Sequence, residues 1–162
     1  MKKLILVRHA KSSREFNVSD HERPLSERGI NDAHLISKEL LHIILPELIC
    51  SSTALRARKT ADIITSNLKM SPHKITLNKE LYDFSGSDLV NFIKNCHDSI
   101  NELMVFGHNN AITNFANKFG DTWIENVPTC GVVIIEFSIS KWTELKKGQT
   151  IKTLFPKEIR NY

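Results

Sequence analysis

Short continuous apolar runs alternate along this chain with longer stretches whose apolar residues recur at helical spacing. Lys3–Val7 is predicted as a first buried strand, and its run Leu4-Ile5-Leu6-Val7 stops at Arg8-His9-Ala10. Ser26 is placed to cap a helix reaching about Ile44, with Ile30, Ala33, Leu40, Leu41 and Ile44 on one face and Leu45-Pro46 closing it. Glu47–Cys50 follows as a short strand. Ser51, Ser52 and Thr53 offer caps for a second helix, along which Ala57, Ala61, Ile64 and Leu68 fall at helical spacing. Ile75–Leu77 reads as a further strand, and Ser85-Gly86-Ser87 precedes a helix of about Asp88–Cys96. Glu102–Phe106 is an apolar strand ending in Gly107-His108, after which Asn109 or Asn110 caps a helix to about Phe119. Gly131–Ser138, rich in β-branched residues, reads as a central strand. Ile151–Phe155 adds a late strand after a turn at Lys147-Gly148. Strands alternating with helices predict an α/β fold, and no linker, repeat or low-complexity tract divides residues 1–162 into more than one domain.

Composition narrows the function classes. At 162 residues, 41% of them hydrophobic, the chain can bury a core without metals or disulfides. Cys50, Cys96 and Cys130 are widely spaced with no CxxC pair, which predicts reduced thiols. The apolar run after Met1-Lys2-Lys3 is too short for a secretory signal, and no run reaches membrane-spanning length, so a cytoplasmic protein without a membrane partner is expected. The net charge of +4 invites a nucleic-acid reading, but the nearest basic run, Arg56-Ala57-Arg58-Lys59, lies on a predicted helix with no aromatics interleaved. No nucleic-acid partner is expected, and the positive balance suits a smaller anion or an acidic partner. His21, His34, His42, His73 and His97 share no ligand spacing, so neither a metal nor a cofactor is expected. Trp123 and Trp142 are expected to pack against the sheet, and Lys141–Lys147 to form a solvated turn.

The reactive residue types sit where strands end. Arg8-His9 follows the first strand, Arg56 lies just beyond the second, and His108 closes the Glu102–Phe106 strand. In open α/β sheets ligands bind beyond the carboxyl ends of the strands, so these distant residues can converge on one pocket. Arg8 and Arg56 would supply guanidinium forks for phosphate oxygens, and His9 and His108 a nucleophile and a proton-handling group. Taken singly each has a plainer reading: a solvated strand-end pair, a loop histidine, a surface arginine. Arg56 in a first helical turn opposes the helix dipole, which becomes sensible if an anion binds there.

Leu6-Val7-Arg8-His9-Ala10 resembles the opening motif of the histidine phosphatase superfamily, also called phosphoglycerate mutase-like. Arg23-Pro24-Leu25-Ser26-Glu27-Arg28-Gly29, Ser51-Ser52-Thr53-Ala54-Leu55-Arg56-Ala57-Arg58-Lys59-Thr60-Ala61 and Phe106-Gly107-His108-Asn109 resemble its later motifs, in order, across residues 3–112. The short chain and the Arg-His-Ala-Lys-Ser opening resemble the SixA-type branch, the phosphohistidine phosphatases. The resemblance implies a three-layer α/β/α sandwich around a mostly parallel sheet. It implies a metal-independent phosphatase in which neutral His9 attacks phosphorus to form a phosphohistidine enzyme. Arg8, Arg56 and His108 hold the equatorial oxygens, with His108 cationic or a hydrogen donor. Arg23 and Asn109 are further candidates for substrate binding, and Lys11, Ser12, Ser13 and Asn17 for lining the pocket.

Family members acting on phosphate esters place a carboxylic acid soon after the second helix, in an "LxE" context. Here Asp83, in Leu81-Tyr82-Asp83-Phe84, stands at that spot with Glu80 as runner-up, and neither reproduces the pattern. A P–N bond to histidine needs less acid assistance than a P–O bond, so the departure leans toward a phosphorylated protein, such as a phosphotransfer domain, as substrate. The competing expectations are a small-molecule phosphomonoesterase acting on a phosphorylated metabolite and a non-catalytic phosphate-binding module.

Overall fold

The computed structural model describes residues 1–70 and 74–160; His73 lies outside them. The strands are β1 (Lys2–Arg8), β2 (Leu48–Ser51), β3 (Ile75–Leu77), β4 (Glu102–Gly107), β5 (Val132–Phe137) and β6 (Gln149–Leu154). The helices are α1 (Glu27–Leu40), α2 (Leu55–Asn67), α3 (Ser87–Lys94), α4 (Ala111–Phe119) and α5 (Pro156–Arg160). One six-stranded sheet runs in the order β3-β2-β4-β1-β5-β6. The pairs β3/β2, β2/β4 and β4/β1 are parallel, whereas β5 runs antiparallel to both β1 and β6. The register sets up the site. Arg8 lies opposite Gly107, and Ser51 opposite Phe106, so His9, Ser52 and His108 leave adjacent strands at the same level.

The alternation of a strand's side chains builds the core on both faces. Leu4 and Leu6 of β1 pack with α3 and α4, including Leu89, Ile93, Ile112 and Phe115. Ile5 and Val7 pack on the other face with Ala33 and Ile36 of α1 and with Ala61 and Ile64 of α2. The result is the expected α/β/α sandwich around a mostly parallel sheet. Trp142 is fully buried, its indole N–H donating to the Ile100 carbonyl at 2.9 Å. Among the described residues no helix is long and apolar enough to cross a membrane.

The structure departs from the sequence reading at several places. Helix α1 ends at Leu40 rather than near Ile44, because His42 takes a left-handed φ of 72° that a helix does not admit. Leu41 and Ile30 are exposed, and Ile36 takes the inner position. Trp123 does not pack against the sheet: it is 78% exposed, while Ile124 and Val127 of the same loop turn inward. Strand β6 starts at Gln149 rather than Ile151, since its first residues carry polar side chains but still pair with β5.

Candidate active site

The loop leaving β1 is fixed by its backbone. The His9 amide donates to the Gly107 carbonyl at 3.0 Å, and the His9 carbonyl accepts from the Cys130 amide at 2.9 Å. The Ala10 amide donates to Thr60 Oγ1 at 2.9 Å, and that hydroxyl donates to the Arg56 carbonyl at 2.7 Å. Nucleophile candidate and arginine are thereby tied to one another through α2. The His9 ring places Nδ1 2.7 Å from the Ala10 carbonyl, an arrangement only a protonated Nδ1 can make. Nε2 is left with its lone pair, and Arg56 Nε donates toward it at 3.3 Å. A neutral imidazole with Nε2 available is the form a nucleophile requires.

His108 faces His9 with ring centroids 5.2 Å apart. Arg56 Nη2 donates toward His108 Nδ1 at 3.5 Å, so the proton sits on Nε2, which donates to Ser52 Oγ at 2.7 Å. Burial, reinforced by the Arg56 and Arg8 charges, pushes His9 down to about 3. Burial, the neighbouring His9 and the Arg56 charge push His108 down to about 3 as well. Both rings are therefore neutral, and His108 is a hydrogen donor through Nε2. A bound anion would be needed to bring a proton onto its Nδ1.

Of the two guanidiniums, Arg56 pairs with the Asp20 carboxylate at 3.0 Å, whereas Arg8 has no carboxylate partner among the described residues. Arg8 Nη1 donates to the Val127 carbonyl at 2.9 Å, but its buried Nε–H has no partner among the described residues. Burial and the nearby Arg56 hold the Arg8 pKa below its ordinary value. A buried donor left unpaired costs about 1–3 kcal/mol, which a phosphoryl oxygen would recover. Arg8, His9, Arg56 and His108 open into a cavity of about 600 Å³, whose wall also carries Lys11, Ser12, Arg14, Arg23, Asn109 and Thr129. Arg23 reaches the rim and bonds Ser12 Oγ. Asn109 lines the cavity while its Oδ1 accepts from the Thr113 amide at 3.0 Å, close to the start of α4. Ser13 and Asn17 are not among the lining residues.

Asp83, the residue singled out as the leaving-group acid, does not line the cavity. It is buried with its carboxylate committed to the start of α3. Oδ2 accepts from the Gly86 and Leu89 amides at 3.0 Å each, and Oδ1 from the Ser85 amide and hydroxyl at 3.2 Å. Glu80 is exposed and outside the lining as well. The carboxylate that does line the cavity is Asp20, which the sequence reading passed over. It lies in a 3-10 turn (Asp20–Glu22) and accepts from Arg56 Nη2 at 3.0 Å, Arg23 Nη2 at 2.9 Å and the Tyr82 hydroxyl at 2.5 Å. Those donors, with the Tyr82 hydroxyl foremost, hold it well below the usual carboxylate range, so it is ionised. An acid three residues before Arg23 is a pairing signal, but nothing in that aperiodic segment ties it to Arg56. Ser52 and Phe84 were likewise missed as site residues. Among the described residues no cluster of three or more His, Cys, Asp or Glu gathers to hold a metal.

The motifs at these positions have a family. The model of the histidine phosphatase superfamily (branch 1) matches residues 4–95, more than half of the chain. The chain belongs to this superfamily. This histidine phosphatase is 30% identical over 156 residues to a chloroplastic protein of Arabidopsis thaliana, spanning 88% of this chain and 70% of that one. A structure from Agrobacterium tumefaciens, described provisionally as the phosphohistidine phosphatase SixA, matches with a TM-score of 0.77 at 22% identity, over 94% of this chain and 97% of its own. The protein histidine phosphatase SixA in complex with tungstate matches with a TM-score of 0.77 at 16% identity, over 97% and 99%. At those identities the structural likeness is one of fold, and it extends over nearly the full length of the SixA chains. The protein is a hydrolase of the histidine phosphatase superfamily.

Proposed function

We propose that this histidine phosphatase removes the phosphoryl group from phosphohistidine in a protein, by way of a covalent phosphohistidine on His9. Its substrate would be a phosphorylated signalling protein such as a phosphotransfer domain. His9 Nε2 attacks phosphorus in line, and the bond to the leaving nitrogen breaks with its electron pair retreating onto that nitrogen. Arg8 and Arg56 hold the equatorial oxygens. His108, protonated once the anion is in place, donates to another of them. Water then attacks the phosphorus of phospho-His9 and releases inorganic phosphate, restoring Nε2.

The observation that carries this reading is the cavity's proton inventory. Its wall offers a nucleophile and several cations, yet its lining carboxylate, Asp20, is ionised and Asp83 is sequestered under α3. An alkoxide leaving group needs a proton from such a group, whereas a phosphohistidine ring protonated at its distal nitrogen leaves as neutral imidazole without one. Binding of tungstate, an anion with phosphate-like oxygens, by a SixA protein of the same fold supports a phosphoryl pocket here.

The test pairs trapping with a substrate panel. Quenched turnover of 32P-labelled phosphohistidine protein should leave acid-labile, base-stable label on wild-type enzyme and none on His9→Ala. The kcat/KM for the phosphohistidine protein should exceed that for phosphate monoesters, with activity retained in chelator. A preference for esters would instead make this a small-molecule phosphomonoesterase, and absence of turnover with retained anion binding a phosphate-recognition module.

A further inference from the structure

Asp20 is a lone carboxylate on a wall that otherwise carries Arg8, Lys11, Arg14, Arg23 and Arg56. In a pocket built for a phosphate dianion a like charge is costly, so its presence calls for a positive or N–H-bearing part of the substrate. Its position is set by Arg56. Its Nε points at His9 Nε2 at 3.3 Å, and its Nη2 at both Asp20 Oδ2 at 3.0 Å and His108 Nδ1 at 3.5 Å. Arg56, which grips the phosphoryl oxygens, thus links the nucleophile to the carboxylate. In an in-line displacement the leaving group departs on the face of phosphorus away from His9, into a cavity whose wall carries Asp20.

Aromatic rings pack beside Asp20: Phe84 on the cavity wall, and Tyr82 next to it. Phe84 has 46% of its surface exposed, its centroid 5.0 Å from His108 and 5.2 Å from Tyr82. The Tyr82 ring lies 5.2 Å from His108, and its hydroxyl donates to Asp20 Oδ2. A flat ring with an N–H at its edge would lie against Phe84 while presenting that edge to the carboxylate.

We propose that Asp20, with Phe84 and Tyr82, forms the leaving-group subsite, and that its carboxylate accepts a hydrogen bond from the non-phosphorylated ring nitrogen of the substrate phosphohistidine. The assignment rests on the phosphohistidine reading above. When phosphoryl oxygens take over Arg56 Nη2, a lone pair on Oδ2 is released toward the cavity. It holds the substrate ring in its imidazolium form, with a proton on the distal nitrogen. His9 Nε2 forms the new N–P bond and the substrate N–P bond breaks. The departing electron pair neutralises the ring, which leaves as imidazole still carrying its distal proton. No proton has to reach the leaving nitrogen, so no general acid is required there. An alkoxide has no distal N–H and gains nothing from Asp20.

Asp20→Asn, Asp20→Glu and Tyr82→Phe, each shown to be folded by thermal melting, test this on a phosphohistidine protein and on 4-nitrophenyl phosphate. With Asp20→Asn, kcat/KM on phosphohistidine should fall about ten- to hundredfold, the loss of one charge-assisted hydrogen bond. Its alkaline limb should move to lower pH, because the bound imidazolium is no longer held. On 4-nitrophenyl phosphate kcat/KM should rise, since a like charge beside Arg56 has gone. Asp20→Glu should restore the alkaline limb, and Tyr82→Phe should move both substrates in the direction of Asp20→Asn by smaller factors. If Asp20→Asn does not fold, the Tyr82→Phe pair of measurements decides alone. Equal losses on both substrates, or an unmoved alkaline limb, overturn the subsite. Wild-type enzyme that prefers esters overturns the phosphohistidine reading itself; a wild-type P–N preference that Asp20→Asn leaves undiminished overturns the subsite only.

Discussion

Asp20 and Asp83 carry the same functional group and have been given different work by what their oxygens hold. Asp83 accepts from the amides of Ser85, Gly86 and Leu89, satisfying donors that the first turn of α3 leaves without intrahelical partners. Asp20 instead takes two guanidiniums and a phenol at the cavity wall. The prediction for Asp83→Ala follows from this division. Unfolding free energy in urea should fall by about 1–3 kcal/mol as the amides lose their acceptor. The kcat/KM values for phosphohistidine and for esters should stay within a factor of a few of wild type. A selective loss of ester turnover at unchanged stability would return Asp83 to the role its sequence position suggests. His9 obeys the same logic: its Nε2 is available because the Ala10 carbonyl takes the proton on Nδ1.

Between elements, the site depends on how α1 meets the loop that follows β1. The Ser26 amide donates to the Lys11 carbonyl at 2.9 Å, and Ser12 bridges to Leu25, so the start of α1 clamps the segment that brings Lys11 and Ser12 to the cavity. Gly29 makes the close approach possible: a Cβ there would stand 2.1 Å from the Lys11 carbonyl oxygen. Gly29→Ala should therefore cost about 1–3 kcal/mol of stability, as overpacking against backbone does. It should also raise KM more than it lowers kcat, since it displaces wall residues and leaves His9 on its own anchors. Unchanged stability would mean that α1 shifts freely and the clamp is not tight. Such contacts mark the boundary of what was legible from sequence. Strand ends were readable because a buried apolar run that stops at Arg8-His9 or Gly107-His108 marks the rim of the sheet, and register then brings the two rims together. Asp20 lies in a segment without periodicity, where only the folded loop shows that it meets Arg56. The exposure of Trp123 escaped for the same reason, since the large apolar side chain of a loop gives no hint of which neighbours turn inward.

Across the whole molecule, placing two imidazoles side by side under Arg8 and Arg56 ties folding to pH. His9 is 7% and His108 1% exposed, and both are pushed from 6.5 down to about 3. Above pH 6.5 both are neutral whether the chain is folded or not, so they contribute no pH dependence. Below it the unfolded chain takes up two protons that the native pocket refuses, and stability falls as the pH drops toward about 3. The slope is about 1.4 kcal/mol per pH unit for each imidazole once the unfolded chain is protonated. Asp20 acts in the same direction, but its carboxyl is depressed from 3.8 and makes itself felt only in stronger acid. Glu144, depressed from 4.5, follows in the same direction, so the interval from about pH 6 to about pH 5 is where the histidine pair dominates. Urea titrations of ligand-free enzyme across that interval should show the wild type losing stability steeply. His108→Asn and His9→Asn should each lose it more gently, by roughly one proton's slope. Replacing His9 also relieves His108, because His9 is among the causes that lower it, so the double variant should flatten by less than the sum of the two single effects. Parallel slopes for wild type and both variants would mean that the pocket admits protons near their ordinary pH. The neutral nucleophile would then depend on the pH of the medium rather than on the fold.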